Sequence, residues 1–271
     1  MQRIILISFL YLLTVTCFGR DIETVDTVRY RFSYDAKLAM YDKPLLLPDE
    51  VNVDIGKQVT HCYSRWDEYN TTLQDSLYAV GYDNDEYHEK AMPNCHLKER
   101  DIKNYPKKGV MTVTSIGWIK TYLFEEPIED KKWQLQNGDT TILGYPCKKA
   151  SCKFRGRTWN VWYTLNIPIS EGPWKLDGLP GMILKAVDSC YRFSFECIGI
   201  KENVNEPMKC RFTDPLKTTA QKVYELRKLQ YTNYRAFAKS TGLDKVFEKE
   251  SLYILDTFPK TEPFLMEYYD K

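Results

Sequence analysis

Histidine is the scarcest reactive residue in this 271-residue chain: His61, His88 and His96 are the full set, and none lies from Trp133 onward. The commonest general base is therefore missing from the C-terminal half. The chain has no G-x-S-x-G elbow, H-E-x-x-H helix, Walker loop or G-x-G-x-x-G turn, so the nucleophile, zinc, phosphate and dinucleotide signatures are all lacking. No cofactor is expected. Excess charge is lacking too, with 38 basic against 37 acidic residues. Without a basic surplus, nucleic acid is not an expected partner. Repeats and low-complexity tracts are absent. Beyond the N-terminus no apolar run approaches the roughly 20 residues that span a bilayer.

What is present begins with a leader. Arg3 precedes an apolar run from Ile4 to about Val15, followed by Thr16-Cys17-Phe18-Gly19. A charged start, a short apolar stretch and a small-residue exit read as an export signal cleaved after Gly19. The expected mature chain is one β-rich domain, 20–271, in the periplasm, outer envelope or medium. Cys17 invites a lipid anchor, but Thr14-Val15-Thr16 lacks the small residue that lipid attachment prefers. Cleavage removes Arg3 and no acid, which leaves 37 of each sign. Seven cysteines remain, an odd number, and export makes disulfides the default reading. Cys147 and Cys152 lie in one extended run. Five strand residues span about 16 Å, and bridged Cα atoms sit within about 7 Å. The same holds for Cys190 and Cys197. Cys62 with Cys95, closing a polar segment, is the favoured pair.

An apolar fraction of 43%, with 20 Tyr and six Trp, supports a core and leans towards strands. Val28 to Phe32 alternates, and a second strand is expected near 59–65. From 66 to 108 the pattern weakens into a polar insertion. Met92, Cys95 and His96 are soft-metal ligand types within five positions. Without a repeat or second cluster, no metal site is expected there. Asp83-Asn84-Asp85-Glu86 lacks calcium-loop spacing and reads as a solvated loop. Asn70-Thr71-Thr72 is a glycosylation sequon of use only in a eukaryote. Strand character returns over 110–123 and 133–135. Asn137-Gly138-Asp139 reads as a turn, and 140–154 as a long strand interrupted near Gly144 and Pro146. Arg155-Gly156-Arg157 reads as a hairpin turn. Trp159, Val161 and Tyr163 then face away from Asn160 and Trp162. Tyr191, Phe193, Phe195 and Cys197 oppose Arg192, Ser194 and Glu196, the cleanest one-face-buried strand, hence antiparallel. One helix is expected over 216–239, with Val223, Leu226, Leu229 and Phe237 on its apolar side and Gly242 as its stop. The expected fold is mainly β (α+β): a curved antiparallel sheet with one packed C-terminal helix, half-barrel and carrier-like.

The most constrained stretch is Gly172 to Ile183, GPWKLDGLPGMI. Its prolines fix φ and its glycines admit bends that other residues resist. Gly178-Leu179-Pro180-Gly181-Met182-Ile183 is preceded by Ile142-Leu143-Gly144-Tyr145, Cys147 to Ala150, Phe154, Gly156-Arg157, Trp162-Tyr163-Thr164, Ile167-Pro168 and Gly172-Pro173-Trp174. Over 133–200 this ordered set resembles the GLPGLI family of exported Bacteroidota proteins, departing in the name motif only by Met182 for Leu. The resemblance implies a secreted, β-rich envelope protein with no established enzymatic activity. Gly172, Pro173, Trp174, Gly178, Leu179, Pro180, Gly181, Met182 and Ile183 are expected to form a structural corner, or else a ligand contact. Phosphate binding is disfavoured because the loop leads into a strand and has no Ser or Thr. Asp177 and Asp188 flank the motif as candidate paired carboxylates, and turn roles suit them better. Trp159, Trp162 and Tyr163, with Trp174, are candidate groove aromatics. Alternation prevents Trp159 and Trp162 from sharing one layer. The expected function is a non-catalytic carrier or binding module for a hydrophobic ligand. The alternative is an interaction protein for an outer-membrane partner.

Overall fold

A computed structural model describes residues 22–39, 45–81, 84–93, 95–117, 120–212, 214–245 and 266. Residues 1–21, with Cys17 and the expected export signal, and most of the tail after 245 lie outside them. The elements are β1 (Ile22–Ala39), β2 (Leu46–Ile55), β3 (Thr60–Ser64), α1 (Arg65–Ala79), α2 (Asn84–Lys90), β4 (Glu99–Lys103), β5 (Val110–Ile116), β6 (Thr121–Pro127), β7 (Gln134–Ile142), β8 (Tyr145–Phe154), β9 (Arg157–Thr164), β10 (Met182–Asp188), β11 (Phe193–Arg211), β12 (Leu216–Lys217), α3 (Ala220–Thr232) and α4 (Tyr234–Thr241). The protein is mainly β. All twelve strands form one unclosed sheet in the order β12-β6-β5-β4-β3-β2-β1-β11-β10-β9-β8-β7. Every ladder is antiparallel except the short parallel β12–β6 pair at the edge.

β1 and β11 are the spine. Phe32, Tyr34, Ala36 and Leu38 turn inward and are buried, alternating with Arg31, Ser33, Asp35 and Lys37. Their cross-strand partners Cys197, Phe195 and Phe193 share that face, as the alternation of β11 predicts, and a register shift between Ser33 and Tyr34 brings Ile200 opposite Phe32. The sheet folds back on itself. Arg155, in the β8–β9 turn, reaches Glu126 of β6 at 3.0 Å although these strands stand near opposite ends of the strand order.

Several elements depart from the sequence expectation. The polar insertion contains α1, α2 and β4. Ser64 caps α1 by accepting a hydrogen bond from the Asp67 N–H at 3.2 Å. The buried side of α1 pairs polar Asp67 and Asn70 with a single Leu77, so no apolar stripe announces it. Arg100 of β4 grips Asp67 and Glu68, and Arg211 of β11 grips Glu68 and Asp75. The sequon asparagine is part of this joint. Buried Asn70 donates to the Met92 carbonyl and accepts from its N–H, both at 2.8 Å, so it is no surface acceptor. Of the acidic run, position 83 lies outside the described residues, and 84–86 open α2 instead of a loop.

Asn137-Gly138-Asp139 is a bulge within β7, not a turn, because the ladder shifts between Gln136 and Thr140. The reversal falls at Leu143-Gly144, both at positive φ, matching the twist of a two-residue hairpin. Arg155-Gly156 does the same between β8 and β9. Tyr191 does not join the buried face of β11. It stands exposed in the preceding turn at φ +55°. The single C-terminal helix is two. Leu216–Lys217 pairs with β6, Thr219 caps α3, and Asn233 ends α3 and caps α4 by accepting from the Ala236 N–H. Gly242 stops α4 at φ +81°, as expected.

The seven described cysteines are all free. The expected Cys62–Cys95 bridge does not form because the sheet separates the two thiols. Cys62 points inward from β3 and accepts the Trp174 N–H at 3.2 Å. Cys95 sits on the outer side, its Sγ beside the Asn70 amide of α1 and the Lys98 ammonium.

Candidate functional site

The loop between β9 and β10 fills the fold of the sheet. Trp174 is fully buried, its ring 5.4 Å from that of Trp159 and 5.7 Å from that of Phe154, both on strands from one end of the sheet. Its backbone reaches Cys62 on the other half and adopts φ +53°, a strained conformation for a bulky residue. Tyr34 Oη donates to the Ile183 carbonyl at 2.7 Å, and Trp133 Nε1 donates to the Asp177 carbonyl at 2.9 Å. Gly178 supplies φ +92° in open space, while a Cβ on Gly181 would collide with the Thr164 carbonyl. The motif thus packs as a plug inside the fold of the sheet.

The plug carries charge inward. Lys103 of β4 sits 2.8 Å from Glu171 and 2.9 Å from Asp177, and Lys131 sits 2.6 Å from Asp177. Lys175 is 2.9 Å from Glu126 and 3.9 Å from Glu99, and Glu99 is 3.0 Å from Arg227 of α3. Burial alone would raise the Asp177 carboxyl, yet the Lys103 and Lys131 charges hold it below the usual carboxylate range. Burial also opposes ionisation of Glu99, and there Arg227 and Lys175 prevail. Lys103 is raised in spite of its burial because Asp177 and Glu171 flank it. The paired cations lower the carboxyls of Asp177 and Glu99, the opposite of the raised carboxyl that a general acid uses. Asp177 and Asp188 are not brought together. Asp188 bonds Arg157 at 2.8 Å and caps the β10–β11 turn through the Arg192 and Phe193 N–H groups.

The expected groove aromatics separate by face. Trp159 and Tyr163 are core residues. Trp162 alone lies on the outer face, donating to the Gly138 carbonyl at 3.0 Å between the ammoniums of Lys149 and Lys185. A shallow hollow of about 380 Å³ surrounds it.

The larger cavity, about 500 Å³, opens between α3–α4 and the rim of the sheet. Leu38, Leu97, Phe193, Val223, Leu226 and Phe237 supply its apolar wall. Glu99, Ser115 and Arg227 form a polar end, with His96 and Lys98 beside them. Arg227 donates to Ser115 Oγ at 2.8 Å through the guanidinium nitrogen that does not face Glu99. None of residues 172–183, nor Trp159, Trp162 or Tyr163, lines this cavity. The apolar side of the C-terminal helix was its one sequence signal; Leu97 and Arg227 gave none. Met92, Cys95 and His96 do not converge. Asn70 holds the Met92 backbone, while His96 lines the cavity, its pKa lowered by burial. Among the described residues no group of three or more His, Cys, Asp or Glu is placed to hold a metal ion. No helix among them is long and apolar enough to cross a membrane.

Residues 110–231, from β5 into α3, match the family described as N-glycanase peptide, N-terminal domain. The chain is also similar to two solved structures of PNGF-II, in space groups P21 and C2. Identities are 15% and 14%, TM-scores 0.46 and 0.44, and each match covers 73% of this chain and 32% of that one. The chain thus spans about a third of the length of those structures. Among curated proteins none matches.

Proposed function

We propose that this protein is an exported, non-catalytic binding module of the GLPGLI type that holds a hydrophobic ligand between α3–α4 and the sheet rim. The carrying observation is the cavity of about 500 Å³, within the range that buries a small ligand and walled largely by aliphatic and phenyl groups. The ionised Asp177 and Glu99 favour a structural role for the interior charges. Export rests on the leader pattern of residues 3–19.

The test is titration of the mature protein with N-phenylnaphthylamine, a neutral dye that fluoresces in apolar surroundings. Saturable binding by the native protein is expected, weakened at least tenfold in Leu226→Trp, which fills the cavity from a half-buried position, with little change in unfolding. If the folded protein does not bind the dye saturably, the reading is wrong.

A further inference from the structure

The polar end of the cavity has a chemistry of its own. Arg227 carries five N–H donors on a planar fork. One nitrogen donates to Ser115 Oγ at 2.8 Å and a second faces Glu99 as an ion pair at 3.0 Å. The remaining donors have no partner among the described residues. Glu99 does not neutralise this end alone, because it also lies 3.9 Å from the buried ammonium of Lys175. Lys98 adds a second cation to the cavity wall; its ammonium meets the Cys95 carbonyl and thiol, and no acid among the described residues. The rest of the wall, from β1, β11, α3 and α4, is mainly apolar, with Leu38, Phe193, Val223, Leu226 and Phe237 outweighing Gln230, Tyr231 and Thr241. An anion entering this cavity finds donors at one end and a mostly hydrocarbon wall beyond it.

We propose, building on the cavity reading, that the ligand is a single-chain amphiphile with a terminal carboxylate, its head on Arg227 and its alkyl chain between α3–α4 and β1–β11. A guanidinium fork with free donors matches a carboxylate in two-point geometry. The aliphatic wall excludes water from the chain and strengthens the ionic contact at its end. A neutral ligand of the same length would displace water from these donors without replacing its hydrogen bonds, which costs affinity.

Displacement of bound N-phenylnaphthylamine by dodecanoate and by methyl dodecanoate tests this at neutral pH. The acid is expected to displace the dye at least tenfold more effectively than the ester. In Arg227→Met that preference should collapse towards unity. Arg227→Lys keeps a cation facing Glu99 and should cut the preference several-fold, so it serves if the methionine variant does not fold. Equal displacement by acid and ester overturns the head-group assignment and leaves the cavity reading intact. Dye binding that neither compound displaces overturns the amphiphile proposal. Failure of the dye itself to bind removes the cavity reading, and this proposal with it. An unchanged acid preference in Arg227→Lys shows that Arg227 is not the head-group site.

Discussion

Two glycines of the plug should fail for different reasons. At Gly181 a new Cβ would meet the Thr164 carbonyl carbon at 2.8 Å and Leu165 Cα at 3.3 Å. Both are backbone atoms, and Thr164 is the β9 residue paired with Met182 of β10. Neither can swing aside as a side chain would, so the strand pair must part. Overpacking costs typically 1–3 kcal/mol and sometimes more, and about 3 kcal/mol is expected for Gly181→Ala. At roughly 2–4 °C per kcal/mol for a chain of this size, Tm falls by about 6–12 °C. At Gly178 the nearest atom to a new Cβ is Trp133 Nε1 at 3.5 Å, an ordinary contact, and the demand is φ +92°. Gly178→Ala should cost about 1–2 kcal/mol, and Gly178→Asn less, because Asn tolerates left-handed geometry. Gly181→Asn should be no better than Gly181→Ala. Calorimetry and urea unfolding of the four variants read this directly. If Gly181→Ala melts within about 1 °C of wild type, or Asn rescues position 181 and not 178, the plug reading is refuted.

Three further outcomes follow from buried groups. His61 Nε2 is buried without a partner among the described residues, and burial, with Arg100 and Arg31 nearby, pushes its pKa down to about 3. The unfolded chain takes up a proton near pH 6.5 that the folded chain refuses. Stability is therefore full above that value and falls by up to about 1.4 kcal/mol per pH unit towards pH 3. His61→Phe, which keeps a ring against Tyr63, should flatten that slope in urea midpoints measured between pH 4 and 7. Lys175→Met leaves Glu126 and Glu99 short of a buried partner and should cost about 3–5 kcal/mol by urea unfolding. The Lys175→Met/Glu126→Gln double variant should lose less than the sum of the single changes. Exposed Cys190 should react with Ellman's reagent in the native protein. The thiols of Cys62, Cys147, Cys152, Cys197 and Cys210 are raised by burial and should wait for denaturant.

Much of the sheet was legible because its strands obey period two. Phe193, Phe195 and Cys197 gave β11, and Trp159, Val161 and Tyr163 gave β9. The motif stood out in the sequence because its glycines and prolines constrain the backbone, and the structure gives Gly178 φ +92°. What escaped was held by charge. α1 buries Asp67 and Asn70 against Arg100 and Met92, so hydrophobic periodicity had nothing to report. Glu99 and Lys103 lie on a β4 face that their charge would assign to solvent, and Lys175 lies in the β9–β10 loop. Pairing reversed that assignment, and pairing across many residues leaves no local mark. The Cys62–Cys95 expectation failed because sequence spacing does not say which face of a sheet a thiol occupies.

A plug that arrives late in the chain dictates the order of assembly. Trp174 contacts Cys62 from 112 positions away, Glu171 meets Lys103 from 68, and Ile183 accepts from Tyr34 across 149. Until those residues exist, the inward face of β3 and β4 presents a bare thiol and ionised side chains to one another with nothing dry between them. Folding must therefore wait for more than half the chain and then close its longest loops together, a slow route by the usual relation of rate to contact separation. A fragment ending before Gly172 should remain open and sensitive to protease, and gain protection only when the missing segment is supplied. The same twelve residues that fix a corner in space also act as a checkpoint in time.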